Sequence, residues 1–88
     1  MKTSVQNMTS NSGNKIANQF IIRTAKSTLF QSYDSVIVKM TSKNIYLDRH
    51  YWDYSPTTSK YRNIFLGETT KETQQKIDSG VYKLTNLN

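Results

Sequence analysis

The sequence contains no cysteine. That excludes a disulfide framework, a thiolate zinc site, an iron–sulfur cluster and a cysteine nucleophile. Long apolar runs are also missing. None exceeds three residues, as at Phe20-Ile21-Ile22 and Val36-Ile37-Val38, far short of the ~20 residues that span a bilayer as a helix. The stretch from Met1 to Asn14 lacks the apolar centre of a signal peptide. These absences lead us to expect a soluble, unexported protein. The three glycines form no glycine-rich loop, which excludes a P-loop or a dinucleotide fingerprint. Acids are few, six against twelve Lys and Arg, for a net charge of +6. A surface that mimics DNA through acidic side chains is therefore not expected.

At 88 residues the chain has room for one small domain and none for a separate cofactor-binding half. Apolar residues are 35% of the sequence, below the level of a typical globular chain. Ser, Thr, Asn and Gln supply 34 residues. Core mass must come largely from six Tyr, three Phe and one Trp, which bury much area each. The charge is uneven. Residues 1–26 hold Lys2, Lys15, Arg23 and Lys26 and no acid, whereas residues 64–88 balance to zero. A basic end favours a polyanion or an acidic protein surface, or serves solubility alone.

Residues 1–14 are polar and aperiodic, and we expect a disordered tail ahead of a single domain over 15–88. From residue 16 to 52, short β-branched and aromatic runs alternate with turn residues. They centre on Phe20–Ile22, Leu29–Phe30, Val36–Val38 and Ile45–Leu47, with breaks at Tyr33-Asp34-Ser35 and Ser42-Lys43-Asn44. The spacing suits antiparallel hairpins. Two helices should follow. Ser55 caps the first with Pro56 at its opening position, and Gly67 ends it. Tyr61, Ile64 and Phe65 form its apolar stripe. Thr69 and Glu72 form a capping box for the second, which Gly80 stops and whose one large apolar residue is Ile77. Glu72 and Lys76 are spaced for an ion pair. Val81, Tyr82, Leu84 and Leu87 should return the chain to the core. The expected class is α+β: a small antiparallel sheet of three or four strands in a meander, followed by two short α-helices.

Four groups of residues invite a functional reading. The first runs from Ser55 to Arg62, with Tyr51, Trp52 and Tyr54 just upstream. Thr57, Thr58 and Ser59 fall in the first helical turn, where free N–H groups favour an anion. Lys60 and Arg62 add positive charge, and Tyr51, Trp52 and Tyr54 are able to stack on bases. The structural alternative makes Ser55-Pro56 a cap and puts Trp52, Tyr61 and Phe65 in the core. The second is Asp48, His50 and Asp53, a thin set for metal or acid–base chemistry and equally a polar loop. The third is the basic arm of Lys2, Lys15, Arg23 and Lys26, which would order on an acidic partner or simply stay solvated. The fourth is the sheet edge, which would pair in a homodimer or add to a partner's sheet.

The stretches FQSYDSVIV at 30–38 and YSPTTSKYRN at 54–63 resemble a pattern shared by small bacteriophage proteins of unknown function. The likeness runs over residues 29–87. It implies an accessory protein acting in the cytoplasm of an infected bacterium, without a cofactor, metal or enzymatic activity of its own. Its expected partner is a host protein or nucleoprotein machine, such as a CRISPR or other defence complex, which it inhibits or redirects. The alternative expectation is a module that binds DNA or RNA directly through Lys15, Arg23, Lys26, Tyr51, Trp52, Tyr54, Thr57, Thr58, Lys60 and Arg62. A third is a small enzyme or a sponge for a nucleotide signal, with a pocket built between subunits.

Overall fold

The structure, a computed structural model, describes residues 3–88. Strands β1 (Ser4–Thr9), β2 (Lys15–Arg23), β3 (Ser27–Ser32), β4 (Ser35–Thr41) and β5 (Ile45–Asp48) precede helices α1 (Pro56–Leu66) and α2 (Thr70–Asp78), and β6 (Tyr82–Thr85) follows. All six strands form one sheet in the order β1-β2-β3-β4-β5-β6. Pairing is antiparallel from β1 to β5 and parallel between β5 and β6. The chain is thus α+β, with a mixed six-stranded sheet in place of a meander of three or four.

Strands β2 to β5 lie where the apolar runs place them. The two additions have separate causes. Ser4–Thr9 is an edge strand rather than part of a disordered tail. Its only large apolar residues, Val5 and Met8, are an odd number apart and so point to opposite faces. No one-sided pattern marks the strand, yet Met8 is buried in the core. Met1 and Lys2, the start of the expected basic arm, lie outside the described residues. Strand β6 finds its partner far back in the sequence. A parallel pair needs a long crossover, and α1 with α2 supplies it. Of the four residues expected to rejoin the core, only Tyr82 is buried, and Val81 and Leu84 stay exposed.

Both helices pack on one face of the sheet. Phe65 of α1 stacks on Phe30 of β3 with ring centroids 5.7 Å apart. Thr58 meets Ser32 at 3.0 Å between hydroxyls. At β6, the Tyr82 hydroxyl donates to Glu68 at 2.7 Å, and Lys76 donates to the same carboxylate oxygen at 2.7 Å. Lys76 thus pairs with Glu68 rather than Glu72. Beneath the helices lie Met8, Phe30, Ile37, Val38, Leu47 and Tyr82. Burial of each large side chain stabilises the fold by roughly 1.5–3 kcal/mol. A bulge in β4 sets Phe30 opposite Val38 and Gln31 opposite Val36. Ile37 is the extra residue, and it is buried with Val38.

The helix ends match their sequence signals. The Ser55 hydroxyl accepts from the Thr58 amide, and Gly67 closes α1 at φ +70. Thr69 and Glu72 make the reciprocal capping box. Tyr61 and Phe65 pack against the core, whereas Ile64 is 57% exposed and leaves the expected stripe.

Candidate nucleic-acid interface

The N-terminal part of α1 offers less to a ligand than its sequence suggests. Arg62 is fully buried. Its guanidinium lies 5.0 Å from the Trp52 ring centroid. It donates to the Trp52 carbonyl, to Asn63 Oδ1 at 2.9 Å, to Thr70 Oγ1 at 2.8 Å and to Asp53 at 3.3 Å. One side chain thereby ties the loop after β5 to both helices. Thr58 is also buried, with its amide spent on the Ser55 cap. Thr58 and Arg62 are therefore held inside the fold, and the half-buried Trp52 packs on the guanidinium rather than standing free beside it. The signal was ambiguous because Arg over Trp packs a core as well as it grips a base.

The other expected residues do not converge either. Tyr51 is half-buried against the core, in an edge contact with the exposed Tyr54 at 5.3 Å. Thr57 and Lys60 are exposed on α1, with the Lys60 ammonium 5.3 Å from the Tyr61 ring centroid. Lys15 and Arg23 mark opposite ends of β2, and Arg23 donates to Gln6 at 3.1 Å. Lys26 sits in the β2–β3 turn.

Asp48 is likewise structural. Its buried carboxylate accepts from the amides of His50 at 3.1 Å, Tyr51 at 3.0 Å and Leu87 at 2.8 Å, and from Asn88 Nδ2 at 3.1 Å. Burial pushes its pKa up, but these four hydrogen bonds together outweigh that and hold it below the usual value. The Asn88 amide in turn brackets Val36, accepting from its N–H at 2.7 Å and donating to its carbonyl at 2.9 Å. Asp48 therefore closes the loop and clamps the C-terminus. Among the described residues, no three His, Cys, Asp or Glu side chains gather as a metal site.

The sheet face opposite the helices has a different character. Cross-strand partners share a face, so the register identifies a row that crosses all six strands. Val5 pairs with Ile22, Ile22 with Leu29, Leu29 with Lys39, Lys39 with Tyr46 and Tyr46 with Lys83. A second row runs Asn7, Phe20, Gln31, Val36. Both rows are one residue out of step with Phe30 and hence face away from the helices. At the usual strand spacing the first row is about 24 Å long. It carries two lysines, no carboxylate and, with Phe20 beside it, two aromatic rings.

Most of the acids lie elsewhere. Asp53, Glu68, Glu72 and Asp78 belong to the helical layer, and Asp34 sits in the β3–β4 turn. Lys39, Lys83, Phe20 and Tyr46 were not among the residues singled out from the sequence. Reading each strand at period two would have put Phe20 with Ile22 and Lys39 opposite Tyr46, but only once the register was known.

A family model described as a family of unknown function (DUF8033) matches residues 3–80. That span includes β1 and β2, so the N-terminal strands belong to the matched unit. No curated protein and no solved structure matches the chain.

Proposed function

The chain belongs to the DUF8033 family of unknown function, and we propose for it a non-enzymatic binding role: it holds single-stranded nucleic acid on the open face of its sheet. The observation that carries this reading is the row Val5–Ile22–Leu29–Lys39–Tyr46–Lys83. A sheet surface of half-buried rings and aliphatic side chains is suited to stacking unpaired bases, and lysines beside it to neutralising phosphates. The asymmetry of charge between the two layers supports the same orientation, with the helices turned away from the polyanion.

The proposal retains the accessory role in an infected bacterium. In that setting the strand is a guide, target or transcript exposed by a host nucleoprotein machine, and its capture blocks or redirects the machine. The buried charged groups favour binding over catalysis, since Asp48, Arg62 and Glu68 are each committed to holding the backbone or the helices.

The test is a titration of labelled single-stranded RNA, single-stranded DNA and duplex DNA across a salt series. Single strands should bind in the micromolar range or tighter at low salt and lose affinity as salt rises. Tyr46→Ala should weaken binding about tenfold, within the 1–3 kcal/mol assigned to one stacked base. Absence of binding at low salt, or a Tyr46→Ala variant that binds like the parent, overturns the reading. In that case a pull-down of a host protein would redirect the assignment to a protein partner.

A further inference from the structure

Two turns at one end of the sheet are built alike. The β2–β3 turn reads Thr24-Ala25-Lys26-Ser27, and the β4–β5 turn reads Thr41-Ser42-Lys43-Asn44. In the first, the Thr24 amide donates to the Ser27 carbonyl at 2.9 Å; in the second, Thr41 donates to Asn44 at 2.9 Å. The Thr24 hydroxyl accepts from the amides of Lys26 at 3.3 Å and Ser27 at 3.0 Å. The Thr41 hydroxyl accepts from Lys43 at 3.3 Å and Asn44 at 3.0 Å. Each hydroxyl also donates back, to Ser27 at 3.2 Å and Asn44 at 3.1 Å. The same four-residue device thus holds one lysine at the third position of each turn.

Between the turns lies an open cleft of about 550 Å³ lined by Lys26, Ser27, Lys39, Thr41, Ser42 and Lys43. Three lysines line it together with Ser42, and no carboxylate does; the Ser27 and Thr41 hydroxyls are hydrogen-bonded within their own turns. Ser27 pairs with Thr41 across the strands, in step with Leu29 and Lys39, so the cleft continues the open face. Lys39 belongs to both. Asp34 is in the β3–β4 turn, at the other end of the strands. Three like charges left around one hollow repel each other, and a bound anion relieves that repulsion. Ammonium donors suit the oxygens of a phosphate.

We propose that this twin-turn cleft is a phosphate subsite, taking the backbone of the strand whose bases lie on the adjoining sheet face. The inference rests on the reading of that face as a nucleic-acid surface and adds where the backbone is held. Lys26 and Lys43 grip from the turns, and Lys39 joins the grip to the bases stacked at Tyr46.

The test compares two double variants that change net charge equally. Lys26→Ala with Lys43→Ala empties the cleft of its turn lysines. Lys15→Ala with Lys60→Ala removes two exposed lysines elsewhere. The probe is fluorescein-labelled oligouridylate of about ten nucleotides, within the span of small single-strand sites. The cleft variant should lower the salt slope by about 1.4, from two lost phosphate contacts at ~0.7 each, and weaken binding at least tenfold at low salt. The Lys15/Lys60 variant should keep its slope within about 0.3 of the parent, less than half of one contact. Equal losses in both variants would overturn the subsite, because the charge would then act globally. An unchanged slope in the cleft variant, with binding still weakened by Tyr46→Ala, rejects the cleft and leaves the face reading standing. A parent protein that binds no oligonucleotide removes both. Calorimetry with inorganic phosphate separates the sources: uptake of the ion at the cleft without uptake of the oligonucleotide overturns the backbone assignment.

Discussion

The Arg62 guanidinium lies 5.0 Å from the centre of the Trp52 ring and is fully buried beneath it. Two side chains that look like a nucleic-acid contact instead fasten the loop after β5 to α1 and α2. Arg62→Ala should therefore destabilise the fold by roughly 3–5 kcal/mol, because it removes the donor to Asn63 Oδ1 and the Trp52 carbonyl and one of two donors to Thr70. Arg62→Lys should recover little, since an ammonium lacks the planar fork that reaches several acceptors at once. Urea denaturation measures both. A stable Arg62→Ala variant with weakened nucleic-acid binding would return this residue to the binding surface.

Met8 tests whether β1 belongs to the domain. It is the one buried residue of that strand and joins the same core cluster as Phe30 and Val38. Met8→Ala should cost about 2–5 kcal/mol, as expected for truncation of a large core side chain. A change under about 0.5 kcal/mol, the level of a surface substitution, would mean that the N-terminal strand is dispensable.

Asp48 and Glu68 set the response to acid. Both carboxyls are held below their usual pKa values, and in each, hydrogen bonds outweigh the upward push of burial. A carboxylate with a depressed folded-state pKa contributes its full stability above the unfolded value near 4. That contribution is lost as pH falls through the folded value. The unfolding midpoint should thus hold above about pH 5 and drop below pH 4. Asp48→Asn should cost about 2 kcal/mol at neutral pH, since its amide nitrogen replaces an acceptor facing backbone donors. Its deficit against the parent should shrink below pH 4, where the parent loses the same interaction. A deficit independent of pH between 7 and 2 contradicts this account.

Gln19 is fully buried, and neither atom of its amide has a partner among the described residues. It lies opposite Ser32 on the helix side of the sheet. Gln19→Met keeps the length and removes both polar atoms, so it should stabilise the protein by about 1 kcal/mol. A lower denaturation midpoint would show that the amide is satisfied in solution.

The parts of this fold that were legible in the sequence are local. Ser55-Pro56, Gly67 and the Thr69–Glu72 box each act within a few residues, and each stands where its chemistry puts it. Strands β2 to β5 were legible because they join through short turns. What stayed hidden depends on pairing at a distance. The β5–β6 ladder joins Ile45 to Tyr82, and nothing local in Tyr82–Thr85 names a parallel partner. The open-face row was hidden for the same reason, since Lys39 and Tyr46 become neighbours only through the β4–β5 register. The burial of Thr58 and Arg62 stayed hidden because composition marks chemistry without marking burial.

The central claim concerns which surface holds the nucleic acid, and amide chemical-shift mapping by NMR tests it most directly. The labelled protein is titrated with a single-stranded oligouridylate at low salt. The account expects shifts concentrated in β2 to β5 around Ile22, Leu29, Lys39 and Tyr46, and in the turns carrying Lys26 and Lys43, with α1 and α2 nearly unmoved. Shifts centred on Tyr54, Thr57 and Lys60, or none at all, would contradict it.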